Sequence, residues 1–159
     1  MTKGIGFRVS PSEVFFTVVE STDPQAAGGY HDPQTLVVPD ALEGPDLLRF
    51  MRTNLLDVLE LYDADRAVVK TADHHQSRSP ITIRVHLEGV IQEVVASSQV
   101  DKYATGATPK LTSLQDMSSD DFKEYKNGTK QFAGLPDWND WSNAERESVL
   151  AAATSLAIQ

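Results

Sequence analysis

Three features of the chain predict an α/β domain built on a mixed five-stranded sheet flanked by helices: β-rich stretches open the sequence, a long helical periodicity follows, and short apolar strands then alternate with helical segments. A three-strand antiparallel meander followed by parallel strands satisfies that order. With 159 residues, 40% of them hydrophobic, the chain can bury one substantial core, so residues 1–159 are expected to form a single domain.

The elements follow from local chemistry. Ile5 to Val9 reads as a strand, Ser10-Pro11-Ser12 as a turn, and Glu13 to Val19, rich in aromatic and β-branched side chains, as a second strand of a hairpin. Ser21 to Pro33 carries Pro24, Gly28, Gly29 and Pro33 and reads as a loop before a third strand at Thr35 to Val38. After Gly44, Pro45 suits a first helical position, and Leu48, Met51, Leu55, Leu59 and Tyr62 recur on one face. Asp63-Ala64-Asp65 ends that helix. Arg66 to Lys70, apolar at its centre, then reads as an interior strand reached by a right-handed crossover. Pro80 can open a second helix with Ile83, Leu87, Val90, Ile91, Val94 and Val95 on one face, in which Gly89 would allow close approach to a neighbour. Val100 to Ala104 is the fifth strand, and Pro109 opens a short helix through Leu114. Ser118 to Tyr125 forms a polar helix stopped by Asn127-Gly128, and Gly134 to Trp141 is irregular. Ser142 followed by Glu145 is a capping box that starts a last helix, with Val149, Leu150, Ala153 and Leu156 as its apolar stripe.

Composition narrows the function. A net charge of -9 means that the overall field repels phosphate, so any nucleic-acid contact must come from a local basic patch or a partner. The absence of cysteine removes disulfides, thiolate zinc sites and cysteine nucleophiles. No apolar run approaches the roughly 18 residues that cross a bilayer, and the opening Met1-Thr2-Lys3-Gly4-Ile5-Gly6 lacks a signal-peptide core, so a cytoplasmic location without membrane contact is expected. Gly4-Ile5-Gly6 lacks the rest of a dinucleotide fingerprint, and no serine sits in a nucleophile elbow.

Short segments sharpen the reading. Gly4-Ile5-Gly6-Phe7 resembles the Gly-Ile-Asp opening of RuvC-like resolvases, a branch of the RNase H-like superfamily, and Arg66-Ala67-Val68-Val69-Lys70 resembles their fourth strand. His86-Leu87-Glu88-Gly89-Val90-Ile91 resembles the helix after it. The tract from Tyr103-Ala104-Thr105 to Lys110 resembles the approach to the next helix, and Asn143 to Ala151 resembles the acidic closing helix. The resemblance implies an RNase H-like fold and a nucleic-acid-linked role. In active members, carboxylates of the first strand, the fourth strand and the last helix hold two divalent metals that activate water and stabilise the leaving oxygen.

This chain departs from that pattern. The first-strand aspartate position is Gly6, the fourth-strand glutamate position is best matched by Lys70, and the earlier acidic position of the closing helix is Ala144, leaving Glu147 as its better match. Loss of two anionic ligands, one to a cation, implies a degenerate site without metal cofactor or catalytic residues. Glu145 is explained by the capping box, and Glu147 is open to reading as a solvated surface residue. The alternative is an active Mg²⁺- or Mn²⁺-dependent nuclease with rearranged carboxylates at Asp73, Glu88, Glu145 and Glu147, and it requires them to meet in one pocket.

Other constellations suggest contacts. Asp73-His74-His75 with His86 can be read as a metal site or as a polar loop. Lys70, His74, His75, Arg78 and Arg84 make the least acidic region and the candidate contact for phosphate or an acidic partner. Trp138 and Trp141 suit base stacking, an interface anchor or a core plug, whereas Arg49 and Arg52 mark a solvated helix face. The combined expectation is a non-catalytic RuvC-like binding or assembly module with a protein partner or a second copy of itself. A protein-interaction domain unrelated to nucleic acid is the remaining alternative.

Overall fold

The computed structural model describes residues 1–23, 28–73 and 81–159. The strands are β1 (Thr2–Val9), β2 (Glu13–Ser21), β3 (Gly29–Tyr30), β4 (Gln34–Val37), β5 (Arg66–Lys70) and β6 (Lys102–Gly106). The helices are α1 (Gly44–Tyr62), α2 (Ile81–Ser97), α3 (Thr108–Gln115), α4 (Ser119–Lys126) and α5 (Asn143–Leu156), with a 3₁₀ turn at Trp138–Asp140. The sheet order is β3-β2-β1-β5-β6, and β4 also pairs with β2. β1 and β2 are antiparallel, while β5 runs parallel to both β1 and β6.

The expected meander is therefore present, with one refinement. The third strand position is shared by two short strands: β4 pairs with Glu13 to Phe16 of β2, and β3, inside the expected loop, pairs with Val19 and Glu20. The last strand begins two residues later than its composition suggests, at Lys102, because Asp101 and Lys102 first donate backbone N–H groups to Asp65 O.

Strand alternation divides the core. Ile5, Phe7 and Val9 of β1 and Ala67 and Val69 of β5 face α1 and α2, where Met51, Leu55, Leu59, Leu87, Ile91 and Val94 meet them. The other sheet face is covered by α5, whose Val149, Leu150 and Ala151 pack with Val68, Leu111, Phe122 and Trp138. On α1 the fully buried row begins at Leu47, with Leu48 and Tyr62 only partly buried. Pro80, the expected opening of α2, lies outside the described residues.

The close approach expected at Gly89 is found at other glycines. A Cβ on Gly89 would meet no atom within 4 Å, so this glycine relieves no crowding inside the domain. The close helix approach occurs at β1 instead. A Cβ on Gly6 would lie 2.5 Å from Ser148 O and 2.6 Å from the Ala151 carbonyl carbon, and nearer still to the Ala152 amide nitrogen. A Cβ on Gly4 would collide with Ser155 Oγ. The α5 backbone thus lies directly on the first strand, and the small residues Ser148, Ala151, Ala152 and Ser155 permit it.

Candidate functional site: a buried cluster of opposite charges

β1 and β5 end side by side, with Arg8 opposite Lys70 in the parallel register. Because Gly6 faces α5, alternation sends Arg8 to the same face, and Lys70 follows Val68 there. Both cations reach Glu147 on α5. Arg8 Nε lies 3.5 Å and Lys70 Nζ 3.4 Å from Glu147 Oε2, while Lys126 Nζ of α4 lies 3.2 Å from Glu147 Oε1. Glu147 is 1% exposed and Lys70 3%. The reading of Glu147 as a solvated surface residue is therefore overturned. An uncompensated charge at such a depth would be prohibitively costly, and three cations compensate this one.

Asp73 completes the arrangement. Thr71 N–H donates to Gly106 O at 2.9 Å, which leads the chain beyond β5 toward the start of α3. That helix has no side-chain cap of its own. Asp73 Oδ1 accepts from Thr108 N–H at 2.9 Å and Oδ2 from the Thr108 hydroxyl at 2.8 Å, placing a carboxylate at the positive end of the helix. Asp73 Oδ2 also lies 3.4 Å from Lys70 Nζ, which donates as well to Thr71 O at 2.8 Å. Glu88 of α2 stands beside the cluster, 3.6 Å from Arg84 Nε.

The carboxyl groups respond to these neighbours in different directions. Burial alone pushes Glu147 up, but Lys70, Arg8 and Lys126 together hold it below its ordinary value. Burial likewise opposes ionisation of Asp73, and the Thr108 hydrogen bonds with Lys70 outweigh it. Glu88 is raised, because burial exceeds the relief given by the Ala72 N–H and by Arg84, Lys70 and Arg8.

A pair of divalent metals does not fit these residues. Gly6 supplies no ligand and has no room for one, and each ionised carboxylate near Lys70 is already held by cations. At an effective dielectric of 20, a divalent ion about 4 Å from an ammonium meets a repulsion of about 8 kcal/mol. Among the described residues no three His, Cys, Asp or Glu side chains form a metal-binding group.

The other expected site residues are distributed as follows. Asp73 and Glu147 do come together, each 3.4 Å from Lys70 Nζ, while Glu88 stands beside them paired with Arg84. Glu145 does not join them; its Oε1 accepts from Ser142 N–H at 3.0 Å in the expected capping box. His74, His75 and Arg78 lie outside the described residues. His86 lines a groove between α1 and α2 instead of meeting Asp73. Arg84 is ion-paired to Glu88 with a side chain 16% exposed. Lys70 and Trp138 are corrected as contact residues, since both are buried. Trp138 plugs the second core, donating Nε1–H to Tyr125 O at 2.9 Å, and half-buried Trp141 packs edge-on against it.

Sequence reasoning missed Arg8, Lys126, Thr108 and Arg146. Arg8 carries a readable signal, its two-residue spacing from Gly6. Lys126 and Thr108 carry none, because only the tertiary fold brings α4 and α3 to the end of β5. Arg146 is 7% exposed and donates to Trp138 O, Lys126 O, Asn139 O and Asn143 Oδ1, fastening the irregular segment to α5.

The meander, the parallel β5 and β6, and the closing helix define an RNase H-like α/β fold. Comparison with solved structures places it in the RuvC-like form of that fold. Thermus thermophilus RuvC in complex with a Holliday junction substrate matches with a TM-score of 0.67 at 12% identity, covering 97% of this chain and 92% of that one. Another Thermus thermophilus RuvC structure gives 0.65 at 12% identity over 96% and 92% of the two chains. The yeast mitochondrial Holliday junction resolvase Ydc2 gives 0.59 at 14% identity over 96% and 77%. No protein-family model and no curated protein matches the sequence.

Proposed function

We propose that this chain is a RuvC-fold domain that does not cleave nucleic acid and serves as a binding or assembly module in a nucleic-acid-linked complex. The carrying observation is the Lys70 ammonium lodged 3.4 Å from the carboxylates of both Asp73 and Glu147. Ammonium there satisfies the anionic oxygens that metal-dependent hydrolysis would need. The fold likeness to a RuvC bound to a Holliday junction supports the nucleic-acid link. At the mouth of the cluster, Arg8, Arg84 and Lys126 have side chains 25%, 16% and 20% exposed, and they are better placed for a phosphate or acidic partner than buried Lys70. A protein partner or a second copy has a separate candidate surface. The groove between α1 and α2, about 500 Å³ in volume, is lined by Leu48, Val85, Gly89 and Val90, with Val85 52% exposed. No described helix is long and apolar enough to cross a membrane.

The test is to incubate the purified chain with four-way junctions, single strands and RNA–DNA hybrids in Mg²⁺ and in Mn²⁺, while measuring binding of the same substrates by fluorescence anisotropy at several salt concentrations. The expected result is no cleavage, with binding that weakens as salt rises and on Arg8→Gln or Arg84→Gln. Cleavage abolished by Glu147→Gln or Asp73→Asn would establish the active alternative. Absence of salt-dependent binding would leave the protein-interaction reading in its place.

A further inference from the structure

We infer that the groove between α1 and α2 is covered by the same groove of a second copy of this chain, in a weak two-fold dimer whose α2 helices cross at Gly89. The inference rests on the reading of the chain as a binding or assembly module and names the occupant of its apolar face.

The inward side of α2 buries Leu87, Ile91, Val94 and Val95, but its outward side lacks the charges of a solvated helix face. Thr82, Val85, Gly89, Gln92 and Ala96 are all exposed, recur at intervals of three and four residues, and bear no charge. That is the spacing of a seam between two helices. Exposed Val85 and half-buried Leu48 and Val90 make the floor of the groove apolar. Gly89 marks where a neighbour comes closest. A glycine weakens a helix interior relative to alanine, and nothing inside the domain uses the space it leaves, since an added Cβ would meet no atom within 4 Å. A helix laid across it can bring its backbone nearer than a side chain would allow.

Charge selects the occupant. Each copy carries -9, so two copies repel unless they meet through a face whose own charges are balanced. This face is balanced: Arg52 Nε lies 2.9 Å from Glu93 Oε2, and Arg49 Nη2 lies 3.2 Å from Asp46 Oδ1. A strongly acidic or basic partner meets no spare charge here, whereas an identical face leaves no charge unpaired. A two-fold axis at Gly89, with α2 antiparallel to its copy, sets Thr82 opposite Ala96, Val85 opposite the aliphatic stem of Glu93, and His86 opposite Gln92, so the surface complements itself. The 17 residues of α2 span only about 25 Å. A contact of that length is at the small end of specific interfaces, and a Kd of about 10–100 µM is expected.

The experiment is sedimentation velocity of the wild type, Val85→Glu and Gly89→Leu, from well below to well above that Kd, in low and in high salt. The wild type is expected to pass from monomer to dimer, and at lower concentration in high salt, because screening weakens the repulsion between two acidic copies. Each substitution is expected to weaken dimerisation at least about tenfold. Both variants keep the circular dichroism of the wild type, and the Tm of dilute Gly89→Leu does not fall, because these positions face away from the core. The chain has no cysteine of its own, so a variant carrying both His86→Cys and Gln92→Cys supplies a second measurement. Six residues apart on one helix, its two thiols are too distant to join within a copy, and mild oxidation is expected to give a covalent dimer. A wild type that stays monomeric throughout, or a dimer indifferent to both substitutions, overturns the inference and leaves the groove to a different protein, while the proposed function stands. A dimer that weakens as salt rises is held by charge elsewhere and overturns it too. Cleavage of nucleic acid by the dimer would remove the proposed function without moving these readouts.

Discussion

Substituting alanine at Gly6 and at Gly89 offers two chemically identical changes with opposite expected signs. Neither glycine has a positive φ, so alanine incurs no backbone penalty at either position and the result depends on space and chain entropy. At Gly6 the new methyl group would sit 2.5 Å from Ser148 O and 2.6 Å from the Ala151 carbonyl carbon, both fixed parts of a helix backbone. Ordinary contact lies near 3.5 Å, so α5 must retreat by about 1 Å from the strand it covers. Overpacking typically costs about 1–3 kcal/mol and occasionally more, and here it loosens a helix that also seats Val149, Leu150 and Ala151 in the second core. We expect a loss of about 3 kcal/mol, or roughly 6–12 °C in Tm for a chain of this size. At Gly89, in the interior of α2 with nothing near the added methyl, alanine should instead stabilise by about 0.5–1 kcal/mol. Urea unfolding monitored by circular dichroism measures both. A Gly6→Ala stability within about 0.5 kcal/mol of wild type would refute the seating of α5 on β1, and with it the claim that Gly6 has no room for a side chain.

Acid stability supplies a further check. Glu147 and Asp73 have folded values below their ordinary 4.5 and 3.8, so each contributes stability that is complete above those values and is lost as pH falls through the lower folded one. Glu88 acts in the opposite sense: its raised value means that stability declines as pH rises through it. Glu147→Gln should lower stability near neutral pH by about 3–5 kcal/mol, as breaking a buried pair does, and should flatten the fall of Tm below about pH 4.5; an unchanged acid limb contradicts the assignment. Arg146→Met should remove four hydrogen bonds, two of them to the segment around Trp138 and one to the end of α4, costing about 3–5 kcal/mol and shifting tryptophan fluorescence, with wild-type spectra and stability as the refuting result.

Much of this architecture was legible in local patterns. The period of Met51, Leu55 and Leu59, the Pro45 start, the Ser142–Glu145 capping box and the apolar centre of β5 are short-range signals, and each element formed where they placed it. The short pairing at Gly29–Tyr30 carried no such signal, since only the neighbouring β2 makes a strand of two residues. In the candidate site, Gly6 and Lys70 were singled out only through the family pattern that their segments resemble, and what surrounds them in space was not legible. Composition suggested Gly89 as the close-contact glycine, whereas steric contact selected Gly6, because crowding depends on which helix lies across a strand and not on the glycine itself.

The sequence by itself determined most of the order of strands and helices, a net charge of -9, and the presence of Gly6 in the first strand and of Lys70 at the end of the strand after the long helix. These properties reside in single residues or in their periodic spacing. The tertiary structure alone decided that Glu147 is buried, that Arg8, Lys70 and Lys126 converge on it from β1, β5 and α4, and that Asp73 bridges Lys70 to α3. Coulomb interactions act through separation and desolvation, and both are set only when distant segments are brought together.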